Sequence, residues 1–277
     1  MKFCLRQSWP RRLAVFYLLI LLAAALAGPW MAGDGRFEVQ DREAVSAPMS
    51  LLHPLGTDDL GRDRMARLMQ GMRVSLLLAP ASALVAVAVA AVLGVWAGWR
   101  GGWWEKALDG ASNVFLCLPG FFILITVRAA LPLDISPWTS VSVTFGLLGL
   151  LGWAAPCRVV RATTHAVAQS GFVTAAHGYG SRKWRIAFRQ LLPNLRPVLA
   201  AQFWTAVPLF LLAEANLSFL GLGVTEPLPS WGGMLKELER PGVITAEPAA
   251  VVPALLLALC VASLHAVIPA RAVEVRR

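Results

Sequence analysis

The stretch Gly171–Pro197 has the sequence GFVTAAHGYGSRKWRIAFRQLLPNLRP and lies between two apolar runs long enough to cross a membrane. It is basic and amphipathic, and it contains small residues, closely spaced glycines and two prolines. A polar segment of this kind between two spans is a loop at the membrane surface. Its pattern favours a docking surface over a catalytic site.

The composition around this stretch is that of an integral membrane protein. Of the 277 residues, 57% are hydrophobic and 15% are charged, whereas soluble domains are about 45 to 50% apolar. Lipid offers backbone groups no hydrogen-bond partner, and the apolar runs are too long for barrel strands, so the predicted fold class is all-α. Each span needs about 20 mainly apolar residues. The six predicted transmembrane helices are 13–30, 74–98, 107–131, 138–157, 198–222 and 249–270.

Basic residues decide the predicted orientation, because cytoplasmic loops carry an excess of Lys and Arg. This rule places both termini and Arg158–Arg196 in the cytoplasm. The apolar run ending in Ala25-Leu26-Ala27 imitates a cleavable signal peptide, but five more spans follow, and we interpret it as an uncleaved first helix. The net charge of +9 then reflects contact with anionic membrane lipids rather than with nucleic acid. The predicted divisions are a cytoplasmic N-terminus (1–12), the first helix (13–30), an outer loop with an amphipathic helix (31–73) and a core domain of five helices (74–277) that contains the loop 158–197.

The chain lacks the residue patterns of an enzyme. Its cysteines, Cys4, Cys117, Cys157 and Cys260, are scattered, and its four histidines are dispersed. We therefore predict no catalytic residues and no metal site. The sequence also contains no G-x-x-x-x-G-K-[ST] motif, the loop that holds nucleotide phosphates. Any ATP chemistry must therefore come from a partner.

Small residues begin the segment Gly171–Pro197. Ala176 and Gly180 are four residues apart, so a helix there would let another backbone approach closely on one face. We expect Gly178 and Gly180 to end this first helix.

A second amphipathic helix is expected directly afterwards. Ser181 can cap it, and Pro193 and Pro197 are expected to stop it. An amphipathic helix of this composition could simply lie on the inner leaflet. Its apolar positions are Trp184, Phe188, Leu191 and Leu192, and its basic positions are Arg182, Arg185 and Arg189.

The order of these residues resembles the EAA loop of ABC importer permeases. The match consists of Ala175-Ala176-x-x-x-Gly180 followed by Leu191-Leu192-Pro193-Asn194. In that family the loop forms coupling helices, which sit in a groove of the ATPase subunit and transmit its closure to the membrane helices. The family's leading Glu is replaced here by Thr174. The resemblance implies an ATPase-coupling role for Thr174, Ala175, Ala176, Gly180, Leu192, Pro193 and Asn194.

A second motif lies in the predicted outer loop. Residues 53–63, HPLGTDDLGRD, closely resemble the H-P-L-G-T-D-x-L-G-R-D signature of dipeptide, oligopeptide and nickel permeases, specifically of the C-type subunit. We expect Thr57 to cap a surface-lying helix whose apolar stripe starts at Met65 and which leads into the second span. Such a helix explains the acidic residues more simply than a metal site does. The signature residues are His53, Gly56, Thr57, Asp58, Gly61, Arg62 and Asp63.

A third motif surrounds an acidic residue inside a predicted span. The sequence EANLSFLGLG from Glu214, followed by PSWGGML from Pro229, is similar to the same family. We expect Gly221 and Gly223 to end a helix and Trp231 to lie at the outer membrane interface. Glu214 either touches the translocation path or holds helices together through hydrogen bonds. The second role is favoured, because one Glu without an evident partner does not define a substrate site.

The three matches lie in register along the chain, so the resemblance is to one family, the C-type (OppC/DppC-like) permeases of dipeptide, oligopeptide and nickel importers. It implies a type I ABC importer permease arrangement and a subunit that performs no covalent chemistry. The implied partners are a homologous B-type permease, two ATP-binding cassette subunits and a periplasmic or lipid-anchored substrate-binding protein. The ATPase subunits would use ATP and Mg, and this chain would bind no cofactor. The family's usual tail is replaced here by Leu264–Pro269 and a basic run.

Short peptides are the expected cargo, translocated across the inner membrane by a multi-pass protein. Nickel or a metal–metallophore complex is the alternative within the same family. A secondary transporter not coupled to ATP is the alternative from another class, but the chain shows no convincing internal repeat, and Glu214 is its only strong central charge. An integral membrane enzyme would need paired carboxylates or a histidine cluster near one membrane face, and the sequence has neither.

Overall fold

The computed structural model describes residues 8–32, 37–117, 120–130 and 136–267. Most of the predicted cytoplasmic N-terminus and the tail after Val267 lie outside the described residues. Within the described ranges the structure is helical, with a single bridge between Thr57 and Asp63 as its β-type pairing. The helices are α1 (Ser8–Ala32), α2 (Arg64–Arg100), α3 (Gly102–Cys117), α4 (Gly120–Ala129), α5 (Pro137–Leu151), α6 (Ala154–Ala168), α7 (Gly171–Gly178), α8 (Lys183–Ile186), α9 (Leu192–Phe219), α10 (Trp231–Leu235), α11 (Val243–Ala246) and α12 (Val252–Val267).

Five helical stretches are long and apolar enough to cross a membrane, and the α3–α4 pair supplies a sixth if it counts as one broken span. These stretches coincide with the predicted apolar runs, so the all-α membrane fold is confirmed. The predicted third span, 107–131, corresponds to this bent pair of helices. The five stretches are Trp9–Gly28, Arg64–Arg100, Pro137–Ala168, Trp184–Phe219 and Pro248–Val267.

The expected surface-lying helix before the second span is instead the first part of α2, which is continuous from Arg64 to Arg100. Two faces of its first turns are covered, since Leu68 and Met72 are buried and so are Arg64 and Arg67. A helix lying on a membrane surface would expose its charged face. The expectation was wrong because the charged side chains find acidic partners within the protein.

The expectation that Pro193 and Pro197 end a helix is also wrong. A π-helical turn at Ala187–Leu191 leads directly into α9, which contains both prolines. In the π turn, the Leu192 N–H donates to the carbonyl of Ala187, five residues earlier. Proline tolerates the first turn of a helix, where its missing N–H has no intrahelical partner. Because α9 begins at Leu192, directly after the π turn, Pro193 lies in the first turn of a helix, where proline is tolerated.

The described residues fall into two compact units. One is drawn from the described residues within 8–79, Val127–Phe145 and Pro208–Val267. In it α1 packs along α12, and the Tyr17 hydroxyl donates to the Leu256 carbonyl at 3.2 Å. Trp231, expected at the membrane interface, is fully buried instead, and its backbone N–H donates to Ser75 Oγ at 3.3 Å.

The other unit is drawn from the described residues within Pro80–Thr126 and Gly146–Val207. Its packing depends on glycines that let α2 approach α6 closely. A Cβ added at Gly98 would lie 2.6 Å from the Arg161 carbonyl oxygen, and one added at Gly94 would lie 3.0 Å from the Cys157 carbonyl oxygen. The backbones touch because no side chain separates them. This contact positions the end of α6, from which the segment Gly171–Pro197 continues.

Candidate functional site

The short helix α7 ends in a glycine-dependent cap. Gly180 has φ 72°, a left-handed conformation that favours glycine. Its N–H donates to the His177 carbonyl at 3.0 Å, and the Ser181 N–H donates to the Ala176 carbonyl at 3.1 Å. These two bonds form a Schellman motif, which satisfies carbonyl groups that a helix end leaves free. The predicted helix end at Gly178 and Gly180 is confirmed.

The small residues of α7 do not share one face as expected. Ala176 is buried against Val173 and Ile186, with Trp99 packed on the same cluster. Gly180 lies beyond the helix and is exposed. Ala176 therefore anchors α7 to its own unit, because the helix must bury one stripe to be stable at a length of eight residues. The face of α7 that was predicted to contact a partner is therefore buried within this unit of the permease.

The segment Gly171–Pro197 exposes several aromatic side chains, with basic residues between them in sequence. Thr174 and Ala175 are exposed on α7, and the Thr174 hydroxyl donates to the Ser170 carbonyl at 3.2 Å. Four aromatic side chains are also exposed, together with Arg182, Arg185 and Arg189. A cluster of exposed large apolar side chains with cationic neighbours is typical of an interaction surface. We call the set the aromatic face, and its members are Phe172 (48% exposed), Tyr179 (88%), Trp184 (56%) and Phe188 (66%).

The remaining predicted coupling residues lie around the π turn. Leu192 lines an apolar groove of about 440 Å³ together with Trp99 and Ala187. Pro193 follows within the first turn of α9, and the exposed Asn194 donates from Nδ2 to the Gln190 carbonyl at 2.5 Å. This side-chain bond serves a carbonyl beside the proline, where the helix pattern is interrupted. These three residues shape the exit from the segment.

Charged residues hold the entry to the segment. Arg161 on α6 pairs with Glu105 on α3 at 2.5 Å and lies 3.1 Å from Asp109. His165, one turn later on α6, lies 3.4 Å from Glu105. The side chains of Arg161 and Glu105 are 18% and 19% exposed, so water screens their attraction only in part. Any movement of α7 through α6 must therefore act on α3 as well.

The signature loop is built around two residues with left-handed backbone. Gly56 has φ 70° and Gly61 has φ 73°. A Cβ at Gly61 would collide with the backbone carbonyl of Asp41. Thr57 is fully buried, where its hydroxyl donates to the Ala44 carbonyl and accepts from the Ala47 N–H at 2.8 Å. The loop therefore closes on the chain that precedes it.

Asp63, not Thr57, caps α2. Its Oδ1 accepts hydrogen bonds from the N–H groups of Met65 at 2.8 Å and Ala66 at 3.3 Å. Its other carboxylate oxygen lies 3.2 Å from His53 Nδ1. The expected capping role of Thr57 was wrong because that side chain is used within the loop. His53 and Asp63 thus contact each other as neighbours of a helix cap.

Asp58 is fully buried and organises the rest of the signature. It accepts from the backbone N–H groups of Leu60 and Arg62, both at 2.9 Å, and from Arg62 Nε at 2.7 Å. Every part of this arrangement comes from within five residues. Among the described residues, no three His, Cys, Asp or Glu side chains come together as a metal site would require.

Glu214 lies fully buried on α9, and its contacts are those of helix packing. Its Oε1 accepts from Ser218 Oγ at 2.6 Å, and Ser218 lies 3.4 Å from Ser230 Oγ. Next to this chain of polar groups, Gly232 is so close to α9 that a Cβ there would collide with Ala215. The buried carboxylate therefore sits where α10 meets α9, with its hydrogen-bonding capacity used inside the protein.

Comparison with known proteins identifies the family. The model of the binding-protein-dependent transport system inner membrane component matches residues 90–272. The chain belongs to this family. It is also 30% identical over 263 residues to the glutathione transport system permease protein GsiD of Pectobacterium atrosepticum, covering 92% of this chain and 85% of the relative. GsiD of Escherichia coli O6:K15:H31 is 29% identical over 248 residues, covering 90% of this chain and 80% of the relative.

The chain is therefore the permease of a binding-protein-dependent ABC importer, a multi-pass protein of the inner membrane and not an enzyme. The family resemblance stated from the three motifs is confirmed. Membership decides against the secondary transporter and the membrane enzyme, because transport in this family depends on a binding protein.

An ion network beside the signature loop of this permease was missed by sequence reasoning. Arg64 pairs with Glu237 at 3.1 Å and with Glu247, while Arg62 and Arg67 pair with Glu226 at 2.8 Å. The partners are more than 150 residues apart in sequence. One signal was available: Arg64 and Arg67 interrupt an apolar stripe three residues apart, and buried arginines require acidic partners.

The pKa values of Arg62, Glu237 and Glu247 are shifted in different directions. Burial lowers the pKa of Arg62, but the hydrogen bond to Asp58 and the charge of Glu226 outweigh it and raise the pKa above its ordinary value. Burial raises the pKa of Glu237 despite the nearby Arg64. Burial also acts to raise the pKa of Glu247, but its hydrogen bond from Arg64 prevails and lowers it. Arg62 therefore stays charged throughout the physiological range.

Proposed function

We propose that this permease imports short peptides and that its segment Gly171–Pro197 faces the cytoplasm and docks an ATP-binding cassette subunit. The observation that carries the docking proposal is the aromatic face, which is exposed on the same segment whose sequence resembles a coupling loop. Aromatic side chains together with arginine supply most of the binding energy at typical protein interfaces. The site thus has the composition of an interface although the chain carries no nucleotide-binding motif.

The way α7 is held supports a mechanical role. Ala176 is buried against Ile186, and Arg161 ties the preceding helix to Glu105. Force applied to the aromatic face would therefore pass into α3 and α6 instead of being absorbed by a loose loop. Alternating access requires such a two-state membrane element that an ATP-driven partner can bias. Thr174 stands where the family's Glu would be, so docking here relies on apolar contact more than on a carboxylate.

The remaining partners follow from the same proposal. A homologous B-type permease completes the pore, two ATPase subunits use ATP and Mg, and a periplasmic or lipid-anchored binding protein delivers the cargo. This chain binds no cofactor itself. Both termini lie in the cytoplasm, in keeping with the excess of basic residues in the segments assigned to that side.

Short peptides are proposed as cargo because the relatives at about 30% identity are named for transport of glutathione, a small peptide. Nickel or a metal–metallophore complex is the alternative cargo, because the signature motifs resemble those of nickel permeases as well as peptide permeases. Uptake of a labelled dipeptide and of nickel by cells that carry the complete importer distinguishes the two.

Site-directed cross-linking tests the docking proposal. Ala175→Cys places a thiol on the exposed side of α7, and Ala176→Cys places one on its buried side. We expect the first variant to cross-link to a cysteine in the ATPase subunit and the second to fail, in membranes that hold the whole importer. Equal cross-linking by both, or by neither, would count against docking on this face.

A further inference from the structure

Two buried arginines lie beneath one exposed carboxylate in this permease. The side chains of Arg62 and Arg67 are 8% and 3% exposed, whereas that of Glu226 is 61% exposed. Arg67 donates to both carboxylate oxygens of Glu226, at 2.8 and 3.2 Å, and Arg62 donates to one at 2.8 Å. We call Arg62 and Arg67 the arginine pair. The pair presents a fork of N–H groups to a carboxylate that solvent reaches.

The other anion at the arginine pair is fixed. Asp58 is fully buried, bonded to Arg62 Nε and to two backbone N–H groups, and 3.7 Å from Arg67 Nε. Arg67 Nε is buried without a hydrogen bond among the described residues. The arginine pair therefore contacts one fixed anion, Asp58, and one exposed anion, Glu226, while the charge of Glu237 also acts on Arg67. If Glu226 moves away, the pair loses one of its two contacting anions, and another anion can take that place.

Nothing other than the arginine pair holds the Glu226 carboxylate within the described residues. Its hydrogen bonds all come from Arg62 and Arg67. Because the Glu226 carboxylate is 61% exposed, water and other anions can reach the arginine pair and compete for it, whereas loss of the carboxylate without a replacement is destabilising. Another carboxylate of the same shape can make the same contacts. Replacement of the Glu226 carboxylate by a carboxylate from another molecule therefore keeps the contacts of the arginine pair and leaves no buried cation without a partner.

We propose that the arginine pair is a carboxylate-binding site, occupied by Glu226 at rest, and that the C-terminal carboxylate of a short peptide replaces Glu226. This inference rests on the proposed peptide cargo and names the group of the peptide that is recognised. An acidic side chain of the binding protein offers the same chemistry, and the experiment separates that source from the peptide. Recognition of a carboxylate suits peptides of varied side chains, because each has one C-terminus.

Glu226→Gln removes the resident carboxylate and keeps the size of the side chain. The matched control is Glu239→Gln, an exposed acid of the same loop region with no ion-pair partner among the described residues. Thermal unfolding of the complete importer in lipid nanodiscs is measured with alanyl-alanine, with its C-terminal amide and with neither. We expect E226Q to unfold at a lower temperature than wild type without ligand, because two buried cations then lose the carboxylate that both of them contact.

Alanyl-alanine should restore the stability of E226Q, and its amide should not. The concentration for half-maximal stabilisation should be at least about fivefold lower in E226Q than in wild type, since the internal competitor is gone. Glu239→Gln should behave like wild type. Should E226Q not fold, Glu226→Asp keeps the charge with a shorter reach, and its half-maximal concentration should also fall below that of wild type.

Equal stabilisation of E226Q by the dipeptide and its amide, or no stabilisation by either, would refute the proposal that the arginine pair binds a carboxylate. Stabilisation of E226Q by the binding protein loaded with the amide would overturn the peptide as the source of the carboxylate. Uptake of alanyl-alanine by the wild-type importer tests the cargo separately. Absent uptake together with carboxylate-dependent stabilisation would refute the proposed cargo and leave the site standing.

Discussion

Replacing Gly180 with alanine should loosen α7 without touching any neighbour. Gly180 has φ 72°, and a Cβ at this position meets nothing within 4 Å. The whole penalty is therefore conformational, about 1 kcal/mol for an L-residue in the left-handed region. Because the helix has eight residues, it depends on its cap, and about 1 kcal/mol increases the open population of α7 about fivefold.

Gly178→Ala is the matched control. Gly178 is the last residue of α7, and a Cβ there also meets nothing within 4 Å. Its φ is not left-handed, so alanine should stabilise the helix by up to about 1 kcal/mol. Gly180→Asn should lie between wild type and Gly180→Ala, since asparagine tolerates the left-handed conformation better than alanine does.

Hydrogen exchange of the α7 amides in the complete importer measures these changes, and ATP-driven uptake measures their consequence. We expect the amide of Ser181, bonded to the Ala176 carbonyl, to exchange faster in G180A and slower in G178A. A bulky acidic residue, Gly180→Glu, should abolish uptake while membrane insertion stays normal. Equal exchange in G180A and G178A would refute the assignment of the cap, and normal uptake by a correctly inserted G180E would refute its role in coupling.

Three further predictions test other parts of the molecule. Gly232→Ala should destabilise the purified permease by about 1–3 kcal/mol in thermal unfolding, because the new Cβ collides with Ala215, whereas Gly110→Ala, with open space around it, should not. Glu105→Gln should lower the unfolding temperature and weaken uptake, since Arg161 loses the carboxylate that lies 2.5 Å away. An unchanged unfolding temperature and unchanged uptake would show that this ion pair contributes neither to stability nor to coupling. Glu247 has a lowered pKa in the folded protein, so its contribution to stability is complete well above pH 4.5, the ordinary value, and is lost as the pH falls through the lowered pKa. Glu247→Gln should therefore lose less stability than wild type as the pH falls below 4.5, and an equal loss in acid would contradict this.

The sequence predicted those parts of the fold that depend on local pattern. Apolar runs located the spans, because lipid imposes length and helicity on any segment that crosses it. Gly180 and Gly221 were assigned to helix ends correctly, since each supplies the left-handed residue that such a cap requires. At both positions the next residue donates back to the helix, Ser181 to Ala176 and Leu222 to Leu217.

The errors came where distant contacts override the local pattern. Ala176 was expected to face a partner, but Ile186 and Trp99 cover it. Pro193 was expected to stop a helix, but a π turn of five residues lets the helix continue. Such turns are rare, and they leave no periodic signal in the sequence.

The charged residues of the signature loop also make two kinds of contact, local ones that the sequence predicts and distant ones that it does not. Asp58 and Arg62 lie four residues apart, and their contact follows from the loop itself. Glu226 lies between α9 and α10 and Glu237 lies just after α10, and no spacing rule connects them to Arg62 or Arg64. Single-sequence reasoning could state that buried arginines need acids but not which acids supply the charge.

Transport by the reconstituted importer tests the central claim most directly. Proteoliposomes containing this permease, its B-type partner and the ATPase subunits are supplied with binding protein and a labelled dipeptide, and uptake is followed with and without ATP. We predict uptake that requires both ATP and the binding protein and that disappears when Gly180→Glu replaces the wild-type chain. Dipeptide uptake that proceeds without ATP on an imposed ion gradient, or that survives in G180E, would contradict it.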